Sequence, residues 1–507
     1  MSALTPKSDA VLSPSGSQET GGNYDLARDR LRSTAIERTN IQMLNTPSLF
    51  PDRDTMQAIE DWLTKTLSQK KAERRDNPVS PAPQSQEWRE QLQAYRFEKG
   101  ENLLELMDWV MVSLDDGMVH MTHPGYMGLF NPAPTFPSEC ADRIASAYNP
   151  QICVWSHAPK AVEIEQHVIR QVARRAGLSN GASGHFTSGG AEANNTAVLC
   201  ALTAKRRDFG EIGARAFDGN PIIYASRESH LAWLKIAHAT GIGRESVRLV
   251  ETDGAGRMKA TALSDAIEAD FDAGNTPVMI AATAGTTNAG MVDPLLACAD
   301  LAEKHGTWFH VDAAWGGGLI ACPNASKALN GIQRADSITI DAHKWFATTM
   351  GAGMFLTSQP AVAADVFRVS ASYMPDSAAE SDFYLNSAQW SRRFLGLRLF
   401  LSLGAAGWDG YADHVEHARS LAERFTKQMI AHGWTKANAS EMAVVCLVPP
   451  QGNDAVEAIV NHVQSNGKSW VSKAVFEDKP VLRMCVTNGR TTERDIDELI
   501  AALALHS

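Results

Sequence analysis

The chain has 507 residues, too many for one simple core, so two or three structural regions are expected. Hydrophobic residues are 44% and charged residues 21%, the balance of a soluble globular protein. The formal net charge of −11, from 47 basic against 58 acidic residues, argues against a nucleic-acid surface or an anionic membrane as the main partner.

Seven cysteines, at 140, 153, 200, 298, 322, 446 and 485, make an odd number with no C-x-x-C spacing. That argues against a disulfide scaffold or a cysteine zinc site, and for a reducing compartment, the cytoplasm. No apolar run approaches membrane-spanning length. The first 25 residues, "MSALTPKSDAVLSPSGSQETGGNYD", have no apolar core of a secretory signal and read as a mobile tail.

Residues 26–135 read as a helical segment. "TMQAIEDWLTKTLSQKKAER" carries apolar residues at helical spacing, and "EWREQLQAYRFEKGENLLELMDWVMVSL" resumes it after the loop "DNPVSPAPQSQ". Then "HPGYMGLFNPAPTFP", residues 123–137, places four prolines and three aromatics in a non-periodic stretch suited to a pocket wall.

Between 136 and 404 short apolar runs alternate with helical segments: "PIIYAS", "SVRLVE", "PVMIAATAGTT", "TWFHVDAAWGG", "SITIDAHKW" and "GAGMFLTS". This is α/β grammar, a mostly parallel central sheet with helices on its faces and ligands at the carboxyl ends of the strands. The remainder, 405–507, reads as a smaller α+β domain. A long helical stretch leads to "MAVVCLVPP", the helix "DAVEAIVNHVQSNG", the strand "PVLRMCVTNG" and the closing helix "TERDIDELIAALAL".

Four features carry the chemistry. In "HFTSGGAEANNTAV" small residues open a helix whose free amides and positive dipole end suit a phosphate, without the P-loop or dinucleotide patterns. In "HVDAAWGGG" a strand delivers Asp312 with no companion cluster at metal-ligand spacing, so no metal is expected. In "YASRESHLAWLKIA" His230 follows a strand. In "SITIDAHKW" the pair His343-Lys344 stands at a strand exit. Each has an ordinary reading alone: a turn glycine, a turn aspartate, a capping histidine, a strand reaching solvent. Together they are the parts that pyridoxal 5'-phosphate (PLP) chemistry needs: an amine for the aldehyde, a carboxylate for the pyridine nitrogen, a flat ring cover and a phosphate cup.

"HVDAAWGGG" followed by "NGIQRADSITIDAHKW" resembles the group II PLP-dependent amino-acid decarboxylases, the family of aromatic amino-acid and glutamate decarboxylases. The resemblance runs from about residue 100 to the C-terminus. It implies a fold type I (aspartate-aminotransferase-like) enzyme and a homodimer whose N-terminal helical segment lies at the interface. It implies Lys344 as the Schiff-base lysine, Asp312 as partner of the pyridine nitrogen and His230 as the stacking ring. Ser188, Gly189, Gly190, Ala191, Thr287, Ala314 and His343 match cofactor contacts. Tyr373, in "VFRVSASYMPDSAAESDFYLN", falls where a mobile loop carries the tyrosine associated with protonation of the product. Arg483 matches an arginine near the active site in some members.

For the substrate, glutamate-type members read "HPRFFNQL" where this chain reads "HPGYMGLF". The motif's arginine is Gly125, and its Asn-Gln pair is Gly128-Leu129. Leu129 and Phe130 instead stand where aromatic decarboxylases place wall residues, which favours an aromatic or apolar amino acid. Trp315 resembles the glutamate and cysteine-sulfinate branch, so an acidic or diamino acid (glutamate, cysteine sulfinate, diaminobutyrate) stays open. So does an aldehyde synthase, which couples decarboxylation to oxidative deamination, although such variants replace the loop tyrosine or the stacking histidine. A related carbon–carbon lyase and a non-catalytic binding protein are further alternatives. The arginines of "SRRF", 391–394, are expected to cap a helix and pair with Asp382.

Overall fold

A computed structural model of the chain describes residues 49–81, 85–93, 95–369 and 382–506. The tail expected over 1–25 lies outside them. Contacts divide the described residues into two units, the smaller comprising 49–73 and 85–117, the larger 74–81 and 118–506.

The smaller unit is helical: α1 (Arg53–Ala72), α2 (Ser85–Gln93) and α3 (Leu103–Gly117). The Asp52 side chain starts α1 by accepting the Thr55 amide at 2.9 Å, which satisfies one of the donors a helix start leaves free. Lys70 of α1 pairs with Asp115 of α3. The second helical run expected from the sequence is broken between Gln93 and Leu103.

The larger unit holds the expected α/β sheet. Its strands are β1 (Ser183–Thr187), β2 (Pro221–Ser226), β3 (Val247–Val250), β4 (Thr276–Thr283), β5 (Trp308–Asp312), β6 (Ser337–Asp341) and β7 (Gly353–Thr357). They lie in the order β1-β7-β6-β5-β4-β2-β3. Neighbours from β6 through β3 pair parallel, and β7 is antiparallel to both β6 and β1.

Alternation along the strands builds two apolar layers. Ile222, Tyr224, Phe309, Val311, Ile338 and Ile340 face a core on one side shared with α5 (Pro159–Arg175), α8 (Ala260–Asp272), α9 (Leu295–His305) and α11 (Gly396–Ala431). Ile223, Ala225, Met279, Ala281 and Trp308 face the other, against α6 (Gly190–Lys205), α7 (Ala232–Ala239) and α10 (Pro360–Phe367). Helices on both faces explain why these strands read as continuous apolar runs. A further helix of this region, α4 (Phe136–Tyr148), is capped by Thr135 and ends at Asn149 in the left-handed region.

An antiparallel sheet follows: β8 (Thr435–Lys436), β9 (Val444–Val448), β10 (Ser472–Phe476) and β11 (Lys479–Cys485), in the order β10-β11-β9-β8. Helices α12 (Val456–Ser465) and α13 (Glu493–Ala504) pack with it. The boundary expected at 404/405 falls inside α11, close to Gly407, where φ 65° kinks the helix. Residues 118–135, expected within the helical segment, belong to the larger unit. There Met127 bonds both Trp470 and Cys485 through its backbone at 2.9 Å. Among the described residues no helix is long and apolar enough to cross a membrane.

Candidate active site

The carboxyl ends of β1, β4, β5 and β6 converge on a cavity of about 290 Å³. One end is the turn from β1 into α6, with Ser188, Gly189, Gly190 and Ala191 in its wall. The first helical bond there is from Glu192 N to Gly189 O at 3.1 Å, so the amides of Gly189, Gly190 and Ala191 precede the helix ladder and suit an anion, while Ser188 N donates to Glu192 Oε2 at 2.7 Å. This turn needs small residues. A Cβ on Gly353 of β7 would come within 2.6 Å of Gly189 C, so only glycine lets the strand pass beneath the loop.

Lys344 follows β6, and its Nζ lies 3.1 Å from Asp341 Oδ2. Asp341 is buried, and its Oδ1 has no hydrogen-bond partner among the described residues. His343 Nδ1 accepts the Ala352 amide at 3.2 Å, with Nε2 at 3.9 Å from Asp341 Oδ2. At the end of β5, Asp312 is 6% exposed. Its Oδ1 accepts Ala314 N at 3.1 Å and its Oδ2 accepts Asn194 Nδ2 at 2.9 Å. His230 lies in the wall and is exposed; its Nδ1 accepts Ala232 N at 3.1 Å, which sets the ring's tautomer with hydrogen on Nε2. Thr287 and Ala314 also line the cavity.

The remaining wall is aromatic. Phe130 stacks on Trp315 at 4.2 Å and 12°, and Trp315 on Trp345 at 4.2 Å and 3°. Lys344 Nζ sits 5.8 Å from the Phe130 ring centre and the Arg483 guanidinium 4.8 Å from it. Arg483 is 2% exposed and donates to Thr287 O at 2.9 Å and to Gly128 O, while its Nη2 has no partner among the described residues. It stands behind the wall rather than in the cavity lining. Leu129 is 44% exposed and is likewise absent from the lining, unlike Phe130.

The two glycines of this segment have a physical cause. A Cβ on Gly128 would fall 2.0 Å from the Trp470 ring, and one on Gly125 2.2 Å from Lys468 O. Tyr126 stacks on Trp470 at 5.1 Å. No arginine or asparagine side chain fits at these positions, because Lys468 and Trp470 fill the space.

Tyr373 lies outside the described residues. Arg392 does not pair with Asp382 as the sequence suggested. It is fully buried against Glu165, and its guanidinium lies 3.9 Å from the Phe383 ring centre. Asp382 Oδ1 instead accepts Trp155 N at 2.6 Å. Sequence reasoning assigned nothing to Asp341, Asn194 or Trp345, which the fold places at this site. Asp341 carried a signal, an acid three residues before the lysine; Asn194 and Trp345 carried none beyond lying in quoted motifs.

The donor set fits PLP. It offers free amides at a helix start for a phosphate, an ionisable carboxylate at the far strand end, a ring between them and an amine. Among the described residues no group of His, Cys, Asp and Glu could hold a metal ion. Residues 86–447 match the family described as the pyridoxal-dependent decarboxylase conserved domain. An aromatic-L-amino-acid decarboxylase of Bacillus atrophaeus is 28% identical over 440 residues, 84% of this chain and 90% of that enzyme. The structure of mouse CSAD in apo form superposes with a TM-score of 0.82 at 25% identity, covering 88% of this chain and 98% of that one. Oryza sativa TDC with PLP and tryptamine shares the fold, with a TM-score of 0.84 at 23% identity over 91% of this chain and all of that one. A family match over most of the chain, on a fold type I scaffold whose cavity offers a fitting donor set, makes this chain a member of the pyridoxal-dependent decarboxylase family, a group II PLP-dependent amino-acid decarboxylase.

Proposed function

We propose that the protein decarboxylates an aromatic L-amino acid to its amine and carbon dioxide. The observation that carries this is the stacked wall of Phe130 and Trp315, with Gly125 and Gly128 backed by Lys468 and Trp470 where a polar recognition set would stand. Offset aromatic stacking is worth about 0.5–1.5 kcal/mol beyond area burial. An acidic side chain there would lack polar partners, at a cost of about 1–3 kcal/mol for each unsatisfied group.

PLP, when bound, supplies an electron sink for the carbanion left by loss of carbon dioxide. The chain's residues do the rest. Lys344 would hold the cofactor through its Nζ, and Asp341, 3.1 Å away, would pair with that nitrogen when it is a free, charged amine. Asp312 holds a proton at the pyridine nitrogen, because a carboxylate in contact favours the charged form. The His230 ring covers one face. The amides of Gly189, Gly190 and Ala191 hold the phosphate, and the aromatic wall excludes water. Tyr373 is assigned the protonation of the product carbon, as the family resemblance implies. Thr287 and His343 orient the ring.

One observation favours a second reading. The Arg483 guanidinium is buried with an unpartnered Nη2 and no carboxylate partner among the described residues, which suits an acidic amino acid such as a sulfinate. Holoenzyme incubated with aromatic, acidic and diamino L-amino acids, with carbon dioxide, amine, aldehyde and peroxide followed together, separates the readings. Equal amounts of carbon dioxide and aromatic amine support the first. Amine from glutamate or cysteine sulfinate supports the second. Aldehyde with peroxide replaces both with an aldehyde synthase.

A homodimer is part of the proposal. Phe136 and Tyr148 of α4 are 70% and 83% exposed, with Leu129 and Met350 also open, an apolar surface that a second copy would cover. Sedimentation of the wild type near twice 55.0 kDa, and of Tyr148→Glu nearer the single-chain mass, is expected. The seven cysteines are all free, which supports a cytoplasmic location.

A further inference from the structure

We propose that His310 is a positioning residue that acts through Asn194 to orient the Asp312 carboxylate. The proposal rests on the reading that Asp312 faces the cofactor's pyridine nitrogen. Trp308, His310 and Asp312 alternate along β5, so their side chains share one face of the sheet, the face that α6 covers. Asn194 comes from α6 and Ser337 from β6, where it is the register partner of His310.

These five side chains form one continuous chain of hydrogen bonds. Trp308 Nε1 donates to Ser337 Oγ at 2.8 Å. Ser337 Oγ and His310 Nδ1 lie 2.8 Å apart. His310 Nε2 and Asn194 Oδ1 lie 3.1 Å apart, and Asn194 Nδ2 reaches Asp312 Oδ2 at 2.9 Å. His310 and Ser337 are fully buried and Asn194 is 3% exposed, so water does not complete these bonds.

The chain has one direction, and both ends impose it. An indole N–H only donates, and an ionised carboxylate only accepts. Asn194 must therefore turn its NH₂ to Asp312 and its carbonyl to His310. That carbonyl needs a donor, which places the hydrogen on His310 Nε2. Nδ1 is then an acceptor, supplied by the Ser337 hydroxyl, whose oxygen is left to accept from Trp308. Burial pushes the His310 pKa down to about 4, consistent with a neutral ring holding a single tautomer. The other group near Nε2, Thr339 Oγ1, is at 3.5 Å, the outer edge of hydrogen-bond range. The Trp233 ring meets His310 at 78° and 5.7 Å, and fixes the imidazole plane. Every donor thus points toward Asp312 and stabilises its negative charge. Loss of the corresponding outer partner at metal centres costs about 10–100-fold in metal affinity or activity.

A histidine that merely fills the core would not influence the pyridine nitrogen, and this is what the test reads. Holoenzyme is loaded with PLP labelled with ¹⁵N in its ring, and the ring-nitrogen resonance is compared across variants together with kcat, KM and thermal midpoint. Asp312→Asn is the reference. If it leaves the resonance at its wild-type position, the underlying reading of Asp312 fails and the proposal with it. If it moves the resonance, His310→Leu is expected to move it the same way and lower kcat about 10–100-fold, with KM changed less than about threefold. His310→Gln keeps a donor at the Nε2 position and is expected to retain both the resonance and kcat within about threefold. Asn194→Ala gives the same readout should His310→Leu fail to fold. A wild-type resonance and kcat in whichever of these two folds would overturn the relay while leaving Asp312 in its role.

Discussion

In the proposed reaction two side chains, Lys344 and Phe130, carry the chemistry and its selectivity at the residue scale. Lys344 has Asp341 as its ionic partner at 3.1 Å and the Phe130 ring beside it. Lys344→Ala is expected to lower kcat by about 10³-fold or more and abolish the visible band of lysine-bound cofactor, both measurable on the purified variant. A retained band would sink the assignment. Phe130 is 5% exposed and stands between the cavity and the Arg483 charge. Phe130→Ala is expected to cost about 3–5 kcal/mol in stability, the usual range for emptying an aromatic core site. It also opens Arg483 to the cavity. The ratio of kcat/KM for acidic over aromatic substrates should therefore rise about tenfold or more, since one charge-assisted hydrogen bond is worth about 1.5–3 kcal/mol. An unchanged ratio would mean that Arg483 plays no part in selection.

The segment after the undescribed residues 370–381 is locked at the scale of elements. Glu165 of α5 accepts from Arg392 and, at 3.0 Å, from the Gly396 amide that opens α11; Arg392 also donates to Phe186 O of β1 at 3.1 Å. Burial pushes the Glu165 pKa up and the Arg392 pKa down, each opposed by the partner's charge. Arg392→Met leaves a buried carboxylate alone and should cost about 3–5 kcal/mol, whereas Glu165→Leu with Arg392→Met should recover most of it. Denaturant unfolding at saturating PLP checks this, and a double variant no better than the single would refute it. Which elements could be read in advance follows the same physics. The strands β2, β4, β5, β6 and β7 are buried on both faces, and their apolar runs announced them. The edge strand β1, "SGHFT", and β10, "SKAVF", are partly exposed and polar, so neither gave a signal. The cavity residues proposed to face the cofactor were readable because a loop at a strand end has few structural reasons to hold Lys, Asp or His. His310 and Asn194 were not, because a buried histidine inside a strand looks like core until its partners from α6 and β6 are known. The Lys468 and Trp470 contacts that explain Gly125 and Gly128 each span more than 340 residues of sequence, beyond any local pattern.

Buried titratable groups in different layers of the whole molecule pull its acid stability in opposite directions. His185, His310 and His414 are pushed down by burial to about 3, about 4 and about 4. The unfolded chain takes up these protons first as pH falls through about 6.5, so these groups make stability rise with pH across the window from about 4 to 6.5. Asp293 does the reverse. It is fully buried, accepts Met258 N at 2.7 Å and Thr283 N at 2.8 Å, and burial pushes it up to about 6. The folded state binds its proton more tightly than the unfolded chain does, so its contribution is present below about pH 4 and falls away as pH rises through about 6. Asp293 therefore flattens the profile that the three histidines steepen. Asp293→Asn stays neutral at every pH and removes the opposing slope. The gain in unfolding free energy from pH 5 to pH 7 should then be larger than in the wild type by about 1 kcal/mol. Urea unfolding at both values, with wild type and variant compared at equal cofactor saturation, measures this difference directly. A smaller gain in the variant would mean that Asp293 is ionised throughout the folded state's range, held by the two amides that aim at it.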